Sequence, residues 1–365
     1  MAKISVVIAS YQHAKFVRQS IESVLSQSFD DLEVLVTDDG SIDGTADIVR
    51  GMLDPRIKLN VFPENRGACV AMNDAIDRST GDYVAVLNSD DYMLPGRLEK
   101  QIHVLDQRRD LAALFALPEI VDERGARLDD HPLTRIFEAK TQSRQQWLRH
   151  FFFHGNALCH PTLMIRRECY AELGGYDPRL AQLPDLDMWI RLARRFEFDL
   201  LPAHVSAFRV LDDNANASAP RPEVHARTMW EYGRILQHYR MLDEAEFHAV
   251  FTLDLEQHEL RELPKEIALG RLALSGPHPC HWDFGLELLY EAVGANLPSI
   301  TGKELSKLVA AYDVFGVQDR TISADSSKVT LTGSPPVTCG WSLLRTAFLE
   351  INRRLGSVDW KRRAR

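Results

Sequence analysis

Four short aliphatic runs in the first ninety residues each end in a loop carrying acids, amides or an arginine, and helical spacing separates each run from the next. Residues 4–8 (ISVVI) form the first run, after which Phe16, Val17, Ile21, Val24 and Leu25 recur at the spacing of one helix face. Residues 32–37, 57–62 and 82–87 repeat the strand pattern, with helices expected over 45–52 and 68–78. Strands alternating with helices imply right-handed crossovers and a mostly parallel sheet with helices on both faces. Such a sheet gathers its loops on one edge, where open α/β sheets bind ligands. That edge would carry Tyr11, Asp38 and Asp39, Asn65-Arg66-Gly67, and Asn88 to Asp91. The adjacent Asp90 and Asp91 can hold a divalent cation against a phosphate-bearing ligand, or cap a helix expected over 95–105.

Further on, the spacing predicts strands over 112–121 and 161–165, helices over 143–153, 167–173 and 184–196, and an extended run over 198–210. Residues 212–220 are small, polar and rich in breakers, as at the end of a domain. The expected division is therefore an α/β domain over 1–215, with its ligand-binding part at 1–110 and a second part at 111–215, followed by a mainly helical region over 221–365. In that region Trp230, Ile235, Leu236 and Tyr239 read as one apolar face. A loop over 316–340, a helix over 341–355 and the basic tail 361–365 complete the expectation; the tail is a solvated end or a contact to an anionic membrane surface.

Composition narrows the ligands. With 365 residues, 45% hydrophobic, the chain can bury a large core, and a net charge of −9 argues against nucleic acid as the main partner. The five cysteines, Cys69, Cys159, Cys169, Cys280 and Cys339, are scattered without metal-ligand spacing, which suggests a reducing compartment. Neither a secretory signal nor an apolar run of bilayer length is visible, so the expected location is cytoplasmic, with any membrane contact peripheral. A dinucleotide fold needs a glycine-rich turn after its first strand, and here that turn is Ala9-Ser10-Tyr11-Gln12-His13.

The series SVVIASYQHAKFVRQSIESVLSQSF, VTDDGSIDGT, ENRGACVAMN and GDYVAVLNSDD resembles the inverting family 2 glycosyltransferases, whose nucleotide-sugar domain has the GT-A fold. HPTLMIRRECYAELGGYDPRL and PDLDMWIRLARR continue the resemblance, which covers about residues 3–211. It implies that Ala9, Tyr11, Asp39, Arg66, Asn88 and Asp90 bind the nucleotide-sugar, that Asp91 holds a manganese or magnesium ion, and that Asp185 is the general base. His160 and Trp189 would lie on the acceptor side. The implied reaction moves a sugar from a UDP- or dTDP-linked donor to a hydroxyl of a glycan or lipid-linked acceptor, in surface polysaccharide or glycolipid synthesis.

Two positions depart from the family pattern. Met72 stands where an arginine is common, leaving Arg66 to meet the diphosphate. Leu211 stands where a histidine would ligate the metal, leaving the metal to Asp91 with the diphosphate and water, or to Asp212 or Asp213. Several residues also have plainer readings: Asp38 and Asp43 as turn formers, Asp187 as a first-turn acid favoured by the helix dipole, Trp189 as core, and His160 as a packed polar side chain. Rival functions are a non-catalytic nucleotide-sugar or glycan-binding protein, or a nucleotidyltransferase, which would carry a basic glycine-rich loop that residues 9–13 lack.

Overall fold

A computed structural model describes residues 3–212, 216 and 221–296. The run Ile4–Ser10 becomes β1, at the centre of a parallel half-sheet between β2 (Leu32–Asp38) and β4 (Tyr83–Val86), with β3 (Ile57–Val61) outside β2. Strands covered on both faces must be apolar along their length, and Ile4, Val6, Val7 and Ile8 are fully buried. Val17, Ile21 and Val24 of α1 (Val17–Leu25) pack in one cluster with them, and α2 (Thr45–Arg50) and α3 (Ala68–Asp77) supply the other crossovers. The register sets Ser10 beside Asp38, so the loops after β1 and β2 leave the sheet at one level.

Beyond β4 the sheet becomes mixed. β7 (Met164–Arg166) lies antiparallel to β4 and to β6 (Leu111–Val121), and β8 (Glu197–Arg209) runs parallel to β6. A two-residue strand, β5 (Tyr92–Met93), closes the order β3-β2-β1-β4-β7-β6-β8-β5. Among the described residues the expected helices, α7 (Cys169–Leu173) included, and strands are present, except that most of the strand expected over 161–165 is a 3-10 turn at His160–Thr162 with β7 starting only at Met164; β5 and α5 (Pro132–Phe137), a helix in a stretch that reads as loop from sequence, are additional. Because Tyr92 pairs with Ala207, the end of β8 is brought beside the tip of β4.

The element that locks the two halves together is α4 (Arg97–Gln107). Arg97 is fully buried with no carboxylate bonded to it. Its guanidinium donates to Val86 O (3.0 Å), Leu163 O (3.2 Å), Pro161 O (2.6 Å), Ser206 Oγ (2.8 Å) and Gln101 Oε1 (3.0 Å). Burial pushes its pKa down to about 9, which leaves it charged at neutral pH. One planar fork thus joins β4, the 3-10 turn His160–Thr162 and β8.

The chain separates into two compact units, residues 1–250 and 251–365. In the first, α9 (Pro222–Leu236) packs on α6 (Arg144–His154), with the Tyr232 hydroxyl donating to Phe151 O at 2.7 Å and Phe152 O at 3.0 Å. Its apolar face differs from the expected one: Ile235, Leu236 and Tyr239 are buried, but Trp230 is 60% exposed and Glu231 is fully buried. Trp230 falls roughly 140° round the helix from Ile235, whereas Glu231 stands one turn before it on the same stripe. The division falls within α10 (Glu244–Gln257). In the second unit α11 (Lys265–Leu274) and α12 (Pro279–Asn296) pack so closely that a Cβ on Gly285 would lie 2.6 Å from Gly270 O. Among the described residues no helix is long and apolar enough to cross a membrane. The loop, helix and basic tail expected over 316–365, with Cys339, lie outside the described residues.

Arg97→Lys replaces a five-donor fork by one ammonium and strands several buried carbonyls. The expected loss is about 3 kcal/mol, seen as a fall in thermal midpoint on the order of 10 °C. A fall within about 2 °C would show that the fork is dispensable.

Candidate active site

At the carboxyl edge, the loop after β1 is laced to the loop after β2. Gln12, held at φ 57°, accepts the Ile42 and Asp43 amides through its side chain, and its own N–H donates to Ser41 Oγ at 2.9 Å. Asp38 accepts the Ser41 amide and hydroxyl, and Asp43 accepts the Ala14 and Thr45 amides, so both acids shape turns. Asp39 is buried, and its two oxygens accept the Arg66 and Gly67 amides at 2.7 and 2.9 Å, capping the start of α3 from the neighbouring strand. Ala9 is partly buried at the end of β1, Tyr11 is exposed, and the exposed Arg66 stacks its guanidinium over Phe62. Ser10 Oγ is buried with no hydrogen-bond partner.

The tip of β4 joins this edge. His13 Nδ1 lies 2.7 Å from Ser89 Oγ, and Ser20 Oγ donates to Asn88 O at 3.0 Å. Asp91 is buried with both oxygens committed, one to the Arg209 amide (2.7 Å) and one to Asn88 Nδ2 (2.8 Å). Asp90 is the partly exposed member of the pair, flanked by the charges of His13 and Arg209. Burial pushes both carboxyls above the usual range, and the Asp90 charge pushes Asp91 further. Arg209, whose guanidinium also donates to Asp90 O (2.7 Å), Glu123 O (2.7 Å) and Gln19 Oε1 (2.7 Å), is the anchor of this corner. Leu211 follows it, with its amide on Asn216 Oδ1. Among the described residues no three His, Cys, Asp or Glu side chains cluster as a metal site.

The other side of the site is built on α8 (Pro184–Arg195). Pro184 at its first position needs no amide partner, which leaves Asp185 in the first turn. The Asp185 carboxylate accepts Asn156 Nδ2 at 2.6 Å and the Leu186 amide at 2.8 Å. Burial outweighs these bonds and, with the charge of Glu231, raises its pKa to about 6. Asp187 has a different fate: it is buried against Arg191 (2.8 Å to Nε) and His238 (2.6 Å), and those bonds overcome burial and lower its pKa. His160 is partly buried, its Nε2 is 2.9 Å from the Tyr176 hydroxyl, and burial takes its pKa down to about 4, so the ring is neutral at physiological pH. Tyr176 is pinned in turn by Asn73, which accepts its N–H and donates to its carbonyl, both at 2.8 Å. A Cβ on Gly175 would lie 2.4 Å from Asn73 Oδ1, which explains the glycine in that turn.

Trp189 corrects one expectation. It is fully buried, edge-on to Phe115 with ring centres 4.6 Å apart, and belongs to the core, not to an acceptor platform. Sequence reading also missed Asn156, Tyr176 and Glu231 as supports of the site. Glu231 was findable, because an acid on the same stripe as Ile235 and Tyr239 has to be buried with partners; Asn156 follows a helix end and gives no such signal.

Residues 5–166 match the model of the glycosyl transferase family 2. The first domain of this chain belongs to that family. "Putative glycosyltransferase EpsE" of Bacillus subtilis is 32% identical over 197 residues, covering 52% of this chain and 66% of EpsE. An uncharacterized glycosyltransferase of Methanocaldococcus jannaschii is 28% identical over 212 residues, covering 57% of this chain and 70% of the relative. The family domain thus matches about half of this chain and about two thirds of those relatives. The fold is shared with the crystal structure of Staphylococcus aureus TarS 1–349, at a TM-score of 0.53 and 19% identity over 85% of this chain and 91% of that one.

The two acids of α8 should therefore behave oppositely. Asp187→Asn breaks a buried ion pair and is expected to lower stability by about 3 kcal/mol, whereas Asp185→Asn, which removes a carboxyl whose ionisation opposes folding, should match or exceed the parent in denaturant unfolding at neutral pH. Equal losses would show that Asp185 is also a structural partner.

Proposed function

We propose that the chain is an inverting glycosyltransferase that moves a sugar from a nucleoside diphosphate donor to a hydroxyl acceptor with Asp185 as general base. The observation that carries this reading is the contrast on α8: Asp187 is tied up by Arg191 and His238, while Asp185 keeps a carboxyl raised to about 6. A base poised near the working pH takes a proton most effectively. In the single displacement the acceptor oxygen bonds to the anomeric carbon, the bond from that carbon to the diphosphate breaks, and the acceptor proton passes to Asp185. Asn156 holds the carboxylate in place through Oδ2.

On the donor side Asp39 and the loop 9–13 would receive the nucleoside, and Arg66 the diphosphate. Arg66 is exposed and, among the described residues, bonded to no carboxylate that would have to be released, and Met72 at the alternative position is buried. A divalent cation would stabilise the charge developing on the leaving diphosphate. The chemistry of the corner fits one: two adjacent desolvated carboxyls, each pushed upward, are relieved by a nearby cation. Here the roles taken from the family resemblance are better exchanged. Asp90, the less buried of the two, is the residue to face the metal, while Asp91 anchors the Arg209 backbone. Support for the donor class comes from the TarS fold relative, also solved in complex with UDP-GlcNAc, at a TM-score of 0.55 and 16% identity. A polysaccharide acceptor is suggested by the relative "Putative teichuronic acid biosynthesis glycosyltransferase TuaG", 38% identical over 128 residues that span 50% of it.

Two measurements test this reading. With UDP-, dTDP- and GDP-sugars and manganese, kcat/KM should rise with pH through about 6 as Asp185 loses its proton, and Asp185→Asn should lower kcat by at least about 100-fold with donor affinity unchanged. Full activity in Asp185→Asn, with or without loss in Asp187→Asn, would remove Asp185 as base. Calorimetry of UDP with and without manganese tests the corner: Asp90→Asn should abolish the gain in affinity brought by the metal while the fold is kept. Asp91→Asn should lower the thermal midpoint instead, and a metal effect lost only in Asp91→Asn would restore the family assignment.

A further inference from the structure

We propose that Glu231, on a helix outside the family 2 match, is a positioning residue for Asp185: from α9 it holds the three residues that lead into the first turn of α8. The inference rests on the reading of Asp185 as base. Glu231 Oε1 accepts the Ala181 amide at 2.8 Å, and Oε2 accepts the Gln182 and Leu183 amides at 2.8 and 2.9 Å. These residues immediately precede Pro184, so the carboxylate fixes the backbone that enters the helix. Glu231 is fully buried, and among the described residues its side-chain partner is Arg227, 2.8 Å away through Nε and half exposed.

A carboxylate in that place also sets the charge around Asp185. Titratable groups that also interact with Asp185 include Cys69 on α3, Cys159 before the 3-10 turn, and Tyr176 in the turn before α8. Burial pushes the Cys69 thiol to about 12 and raises the Cys159 thiol and the Tyr176 hydroxyl well above their usual values, so these three are neutral where the enzyme would work. Asn156 is neutral as well. Glu231, by contrast, is held below the ordinary range because the three amides and Arg227 outweigh its burial. Its negative charge therefore persists at neutral pH and keeps Asp185 basic, while Arg227 partly offsets it.

The pairing makes two opposite predictions. Glu231→Gln removes the charge and one acceptor oxygen. The acid limb of kcat/KM for hydrolysis of UDP-GlcNAc, or of whichever UDP-, dTDP- or GDP-sugar turns over fastest with manganese, should move down by about half a pH unit or more. In the same variant kcat should fall by about 10-fold with the donor KM unchanged, and hydrogen exchange at 181–183 should speed up by about 10-fold. Arg227→Gln, at an exposed position that leaves the fold intact, uncovers the Glu231 charge and should move the limb up. Unmoved limbs in both variants together with unchanged exchange at 181–183 would overturn the proposal, as would shifts of the same sign. The exchange measurement decides the contact even when no sugar turns over. Asp185→Asn in the same assay separates the two readings: if it retains activity, the base assignment has failed; if it is inactive while Glu231→Gln and Arg227→Gln match the parent, only the role of Glu231 has.

Discussion

The whole site hangs on how the Arg97 guanidinium is satisfied. A buried charge without a carboxylate is expensive, and here backbone carbonyls and two side-chain oxygens offset the loss of water. The acceptors are the informative part. Val86 ends β4 just before Asn88 to Asp91, Pro161 lies in the turn that carries His160, and Ser206 is on the strand that ends at Arg209. A planar fork holds all three at once, so the loop after β4, the turn at His160 and the end of β8 are set by one rigid group. Arg209, also buried, repeats the device beside Asp90 and Asp91, with Phe16 and Tyr92 rings 4.9 and 5.5 Å from its guanidinium carbon.

The parallel half of the sheet was readable because strands buried on both faces are written as uninterrupted aliphatic runs, and the acids after them fall on the ligand edge by topology alone. Within the site, legibility stopped where identity and environment part company. Asp185 and Asp187 look alike in sequence, yet one faces Asn156 and the other an arginine and a histidine. His238 is 51 residues from Asp187, so no local pattern announces the pair. Asp90 and Asp91 are likewise separated only by long-range contacts, since the amide that binds Asp91 comes from Arg209 at the far end of β8. Trp189 and Trp230 show the same limit from the apolar side. The tryptophan at good helical spacing inside an acidic motif is core, and the one expected on an apolar face is exposed, because a helix stripe shifts by one residue when a buried acid occupies it.

Electrostatically the two ends of the site use opposite solutions to one problem. An acid needed for chemistry must be kept away from water without being neutralised by a permanent partner. At Asp185 the partner is the neutral amide of Asn156, so the carboxylate stays free to take a proton. At Asp90 and Asp91 the like charges sit side by side, which favours a cation brought by the ligand over a lysine fixed in place. On the proposed reading this is also how a chain with a net charge of −9 would receive a diphosphate: the attraction would be assembled at the corner and not spread over the surface.

Such a solution draws on the stability of the fold. Asp185 has its pKa raised from 3.8 to about 6. For a group raised on folding, the native state binds the proton more tightly than the unfolded chain, so stability is greatest below the unfolded pKa and falls as pH climbs through the folded one. A shift of this size corresponds to about 3 kcal/mol lost between roughly pH 4 and pH 7, an upper figure for a carboxyl that keeps some contact with solvent. Glu33 runs the other way: bonds from Lys58, Ser5 and Thr80 outweigh its burial and lower it to about 2, which contributes stability above the unfolded pKa that is lost as pH falls toward 2. Glu33 sits on β2 beneath the parallel half, far along the chain from the base. Glu33 thus strengthens the fold at neutral pH and Asp185 weakens it, the balance expected if the Asp185 carboxyl is reserved for the proton transfer proposed above.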